Sequence, residues 1–243
     1  MRMLIFGKRC GKEILRDPLN LAFGLGFPVV LLLLLSTIQS NVPVDLFEIE
    51  HLAPGIAVFG LSFMTLFAAT LIARDRENAL LQRLYTTPLT AQDFILGYML
   101  PIMPIALGQG LVCYAVSWIL GLRNAWNVIF AVLMVVPISI FYIALGLLCG
   151  SLFNVKQVGG ICGALLTNVS AWLSGVWFDL DLMGDGFRKF ANLLPFVHAV
   201  ELERAMISGN FKGILPHIGF VLGYGIVTTI GAIIIFLKKM KDQ

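Results

Sequence analysis

The chain has 243 residues, of which 58% are hydrophobic and 13% charged, about half the charged share of an average soluble domain. A water-soluble fold could not bury so much apolar surface. At roughly 20 residues per spanning helix, the length holds six spans and their loops and leaves no room for a soluble catalytic domain. The net charge of +3 is distributed along the chain rather than gathered into a patch, which argues against nucleic acid as a partner.

Residues 2 to 16 place Met3, Phe6, Cys10 and Ile14 on one helical side and Lys8, Arg9, Lys12 and Arg16 on the other, with Ile5 breaking the pattern. Such a helix (residues 1–18) is expected in the membrane interface, its bases near anionic headgroups and its apolar face in the acyl boundary. An ordinary topogenic charge cluster is the other reading. A cleaved signal peptide is not expected, because the apolar run is too long and no small-residue cleavage site follows Ser36.

Long apolar runs predict spans at 19–40, 53–73, 95–120, 127–153, 158–178 and 214–237. Twelve of the 17 Lys and Arg residues then fall on one side: five before residue 17, three in 74–94, Lys156, and Lys238, Lys239 and Lys241. Arg123, Arg188, Lys189, Arg204 and Lys212 fall on the other. The positive-inside rule predicts a multi-pass cell-membrane protein with both termini cytoplasmic. Cys10, Cys113, Cys149 and Cys162 have neither disulfide nor metal-ligand spacing and read as small buried hydrophobes.

The loop at 74–94 is the most informative stretch. Leu80, Leu81 and Leu84 share a helical face with Glu77, while Arg76 and Arg83 lie toward another. Pro88 disfavours helix at Thr87 and ends the segment, and Thr90 with Asp93 reads as a cap that starts the third span. This short helix could dock a soluble partner or pack on its own bundle. Between the fifth and sixth spans, 179–213 carries Asp179, Asp181 and Asp185, then an apolar helix that begins at Pro195 and Phe196 and stops at Gly209. Too short to span, it is expected to be re-entrant or interfacial.

The layout and these motifs resemble the ABC-2 family of ATP-binding-cassette transporter permeases. The resemblance covers essentially the whole chain: the entry helix, six spans, a loop with Glu77, Arg83, Leu84, Thr87, Pro88 and Leu89, and a Leu194-Pro195-Phe196 element before the last span. It implies a single all-α transmembrane domain over residues 1–243, with six spans across 19–237. It also implies that two such subunits, identical or related, form a path above separate cytoplasmic ABC ATPases that hold the ATP and magnesium. This chain would bind no cofactor itself and would not be an enzyme. The coupling residues it implies are Glu77, Leu80, Leu81, Arg83, Leu84, Thr87 and Pro88, within a coupling helix from Glu77 to Tyr85. Spans two and five would line the path, which points to Phe59, Phe63, Phe67, Asn168 and Trp172. Aromatic residues at such spacing also serve packing. A hydrophobic or amphipathic cargo would suit them, and a bacterial source fits the family.

Other classes find little support. No Asp, Glu, Lys or Arg lies well inside a proposed span, as a proton- or ion-coupled transporter would usually require; an ATP-independent transporter or channel-like protein is the alternative. His51, His198 and His217 lie apart in sequence and read as solitary interfacial residues, with no HExxH or GxSxG motif. Gly7 to Glu13 lacks P-loop spacing. The pairs Gly146/Gly150, Gly159/Gly163 and Gly219/Gly223 permit close helix approach.

Overall fold

The structure is a computed structural model describing residues 2–42, 47–78, 80–81, 89–123 and 125–241. The described residues are helical with no strand. Ten α-helices are named here in chain order: α1 (Arg2–Leu15), α2 (Pro18–Asn41), α3 (Ile49–Glu77), α4 (Ala91–Ile119), α5 (Ala125–Leu152), α6 (Val155–Val158), α7 (Thr167–Leu173), α8 (Asp185–Ala191), α9 (Pro195–Ser208) and α10 (Ile214–Lys241). A π-helix, Gly159–Leu166, joins α6 to α7.

Among the described residues, five helices are long and apolar enough to cross a membrane: Asn20–Asn41, Ile49–Glu77, Ala91–Ile119, Trp126–Leu152 and Phe211–Lys239. They match five of the six predicted spans. The remaining one, predicted at 158–178, is helical only from Val155 to Leu173 and in three abutting pieces, none long enough to span alone. Trp177 and Phe178 lie beyond its end, past Gly175, whose φ of +71° starts a turn that a side chain would strain.

Helix α3 is the centre of the bundle. Its apolar window is 83% buried, against 22% for α2 and α10, and it packs on α2, α4, α5, α9 and the π-helix. The close approach to α5 comes from Gly146 and Gly150. A Cβ on Gly146 would stand 2.3 Å from the Thr65 carbonyl oxygen, and one on Gly150 would stand 2.5 Å from that of Ala69. Thr65 also donates to the Tyr142 carbonyl at 2.8 Å. Of the three predicted glycine pairs, this one packs two helices backbone to backbone. Gly219 and Gly223 have nothing within 4 Å, nor has Gly159.

Local signals acted as the residue chemistry dictates. Thr90 and Asp93 form a reciprocal capping box at the start of α4, Pro195 opens α9, and Gly209, at φ +73°, closes it. All four cysteines are free and buried.

The entry helix differs from expectation. Phe6, Cys10 and Ile14 are buried, not turned toward an acyl boundary, because α1 packs on α4. Phe6 sets its ring edge-on to Phe94 and Tyr98, in the space that Gly97 leaves open. Burial also pushes the Cys10 thiol up to about 12.

Candidate functional site: a charged hub beside the loop

The last four residues of α3, Arg74-Asp75-Arg76-Glu77, immediately precede the predicted coupling loop. Successive helix residues turn by about 100°, so four in a row point in four directions. Each one reaches a different neighbour.

Arg74 pairs with Asp17 at 3.1 Å, and Asp17 itself caps α2 through the Asn20 amide. Asp75 is buried, with 1% of its side chain exposed. It accepts both arms of the Arg9 guanidinium from α1, the Nη2 bond measuring 2.6 Å, and a hydrogen bond from the Tyr98 hydroxyl of α4 at 2.8 Å. Bidentate, charge-assisted pairing of this kind is the strong form of the interaction. Glu13 holds the same guanidinium at 2.5 Å.

Arg76 donates to the Gly150 carbonyl at 3.1 Å and to that of Ser151. These are among the last carbonyls of α5, which no intrahelical amide can satisfy, and a cation there complements the helix dipole. Glu77 accepts from the Val155 amide at 2.9 Å, placing an anion on the first turn of α6. Four residues thus bind α3 to α1, α2, α4, α5 and α6 at one end of the bundle.

Of the predicted coupling residues, the structure places Glu77 in this hub, Leu80 half-buried beyond it, and Leu81 fully buried in the core. Leu81 is therefore packed against this chain rather than presented to a partner. Arg83, Leu84, Tyr85, Thr87 and Pro88 lie outside the described residues. Sequence reasoning missed Arg9, Asp75 and Tyr98. The one signal was the dense charge run at 74–77, whose directions acquire meaning only once the neighbouring helices are placed.

The predicted path residues separate into two groups. Phe59, Phe63 and Phe67 are buried within the chain. Phe59 and Phe63 pack on each other and on Phe27 of α2, Phe59 also meets Trp177, and Phe67 fills the space over Gly24. Asn168 and Trp172, on α7, are exposed.

At the opposite end of the bundle, Phe47, His51, Trp177, Phe178, Asp181, Arg188, Asn192, Glu201 and Arg204 line a cleft of about 820 Å³. Its charges are largely paired: Arg188 with Asp181 at 2.8 Å and Arg204 with Glu201 at 2.9 Å. Arg204 also donates to the Gly175 carbonyl at 3.1 Å. Pro195 and Phe196 are buried at the start of α9, where Phe196 packs on Phe141 and Tyr142.

His198 and His217 are not solitary. Antiparallel return of the chain through Gly209 and Gly213 brings their Nδ1 atoms to 2.8 Å, with His198 Nε2 2.9 Å from the Asn192 carbonyl. The carbonyl requires a proton on His198 Nε2, so His217 is the donor of the pair. Among the described residues, no group of three or more His, Cys, Asp or Glu could hold a metal ion.

A helical bundle with five membrane-length helices and a charged junction at one end is the architecture of a polytopic membrane protein. A family model for ABC-2 type transporters matches residues 2–207, and the chain belongs to that family of transporter permeases. Among curated proteins it is similar to Nodulation protein J of Bradyrhizobium diazoefficiens, 26% identical over 93% of this chain and 85% of that one. It is also similar to Nodulation protein J of Sinorhizobium fredii, 25% identical over 84% of this chain and 76% of that one.

Proposed function

We propose that this chain is the membrane subunit of an ATP-driven exporter in a bacterial cell membrane. It pairs with a second permease subunit, and a separate cytoplasmic ABC ATPase holding ATP and magnesium drives it. The observation that carries this reading is the hub at 74–77, which joins five other helices to the end of α3 where the loop departs. A push on that loop reaches α1, α2, α4, α5 and α6 through charge-assisted bonds. The bundle then moves as a body rather than one helix bending, the kind of rigid-body switch expected of a transporter. Leu81 anchors the start of the loop to the bundle; Leu80, with Arg83, Leu84, Thr87 and Pro88 from the sequence, would dock the ATPase, and Glu77 would pass the push into the hub.

The helical run from Val155 to Leu173 is taken as the fifth of six spans. At the α-helical rise of about 1.5 Å per residue its 19 residues would reach roughly 28 Å; the π-helical stretch Gly159–Leu166 rises less, so the run crosses most of the ~30 Å hydrocarbon core. Six spans put both termini on the same, cytoplasmic, side. Helices α8 and α9 then lie at the outer face as the re-entrant element.

Exposed Asn168 and Trp172 face the second subunit across the path, while Phe59, Phe63 and Phe67 support it from within the bundle, packed on α2. The aromatic cluster adjoins, through Trp177, a cleft lined by both aromatic and charged side chains. That sequence of surfaces favours an amphipathic cargo.

Asp75→Asn tests the proposal. It keeps the shape of the hub but removes the charge that holds Arg9, a loss of about 1.5–3 kcal/mol for a hydrogen bond to a charged group. Substrate moved per ATP hydrolysed should fall roughly tenfold or more, with the ATPase still bound. An unchanged ratio would show that the hub does not transmit the stroke.

A further inference from the structure

Helix α9 carries two glutamates with opposite fates. Glu201 faces the cleft and pairs with Arg204. Glu203, two residues and about 200° further round, is turned into the protein and has no exposed surface. Its Oε2 accepts from the Tyr114 hydroxyl at 2.6 Å. Its Oε1 is buried with no hydrogen-bond partner.

No cation compensates it among the described residues. Arg204 turns away to Glu201 and the Gly175 carbonyl. His198, on the same helix, bonds the Asn192 carbonyl and His217 of α10. On α5, Tyr142 lies against Phe141 and Phe196, and on α3 the nearest-end titratable side chains, Glu50 and His51, are exposed. Among the described residues, Tyr114 of α4 is the titratable group that reaches the carboxyl. An ionised carboxylate fully buried with one neutral donor carries a heavy desolvation penalty; the neutral acid avoids it.

We propose that Glu203 is a proton-binding site that links the seating of α9 to proton uptake: the helix is seated when the carboxyl holds a proton, and leaves its seat with release of that proton. On unseating, water reaches the carboxyl, the O–H bond breaks, the electron pair stays on the carboxylate and water takes the proton. Burial pushes the seated carboxyl up to about 8, consistent with a proton held through neutral pH. Alkaline conditions therefore favour the unseated helix and acidic conditions the seated one. This inference goes beyond the transport reading and does not depend on which ATPase drives the protein.

The test is hydrogen–deuterium exchange of the α9 amides in the purified full chain in lipid nanodiscs, wild type against Glu203→Gln, from pH 6 to 8. The ratio of the two rates cancels the intrinsic pH dependence of exchange. Linkage predicts that it rises by up to tenfold per pH unit; a ratio constant with pH would overturn the proposal. Should Glu203→Gln fail to fold, wild-type α9 amides are compared with those of α5, a helix with no acidic or basic side chain. The α9 to α5 rate ratio is expected to rise with pH, and a flat ratio would again overturn it.

Discussion

Gly150→Ala should separate the two central helices. The added Cβ would lie 2.5 Å from the Ala69 carbonyl oxygen and 2.8 Å from its Cα, where carbon contacts ordinarily settle at about 3.5–4.0 Å. Backbone cannot swing aside as a side chain can, so α3 and α5 must part by roughly 1 Å, a gap that forfeits a quarter to a half of each dispersion contact along the seam. The expected cost is about 3 kcal/mol, the upper end of the range for overpacking, which lowers the midpoint of thermal unfolding by roughly 6–12 °C for a chain of this size. The same displacement would pull the Gly150 and Ser151 carbonyls from Arg76. Melting of the detergent-purified protein, followed by circular dichroism, measures the effect. Gly219→Ala and Gly223→Ala are the controls: nothing lies within 4 Å of either, and helix propensity favours alanine by about 1 kcal/mol, so neither should lower the midpoint. An unchanged midpoint for Gly150→Ala would refute the backbone-to-backbone packing of α3 on α5.

Two further outcomes follow from the same structure. Leu80→Asp places a charge on the half-buried docking side of the loop and should release the ATPase while the permease stays monodisperse; retention of both ATPase and transport would remove Leu80 from the interface. Glu203 gives the folded state a stability that is present in full below the ordinary carboxylate range and lost as pH rises toward about 8, at up to about 1.4 kcal/mol per pH unit. Glu203→Gln should flatten that slope in melts taken across pH 5 to 8, and parallel slopes would show that the carboxyl is not held neutral.

Much of the fold was legible because hydrocarbon imposes a single demand, long apolar runs with satisfied backbone, and the sequence meets it without ambiguity at five places. The caps at Thr90 and Pro195 were legible because they are local. The hub was not. Arg74, Asp75, Arg76 and Glu77 show in sequence only as charges leading into a short docking or packing helix, and their separate partners appear once α1, α2, α4, α5 and α6 are set around them. Glu203 was hidden for a similar reason: the helical period sets it on the side of α9 opposite Glu201, but only the placement of Tyr114 on α4 shows that side to be buried. The fifth apolar run was legible as membrane-like residues, but its glycines and apolar composition do not specify a regular α-helix, and the structure interrupts it with a π-helix. The aromatic stripe at Phe59, Phe63 and Phe67 follows the helical period equally well for lining or packing, and its partners, Phe27 and Gly24, lie on another helix.

The central claim is that the loop following Glu77 couples this bundle to a cytoplasmic ATPase. Purification of the tagged chain in mild detergent, with identification of bound proteins by mass spectrometry and measurement of ATP hydrolysis, tests it most directly. The account predicts a stoichiometric ABC ATPase with active hydrolysis, released by Leu80→Asp. Recovery of the folded chain alone, without hydrolysis in several detergents, would contradict it.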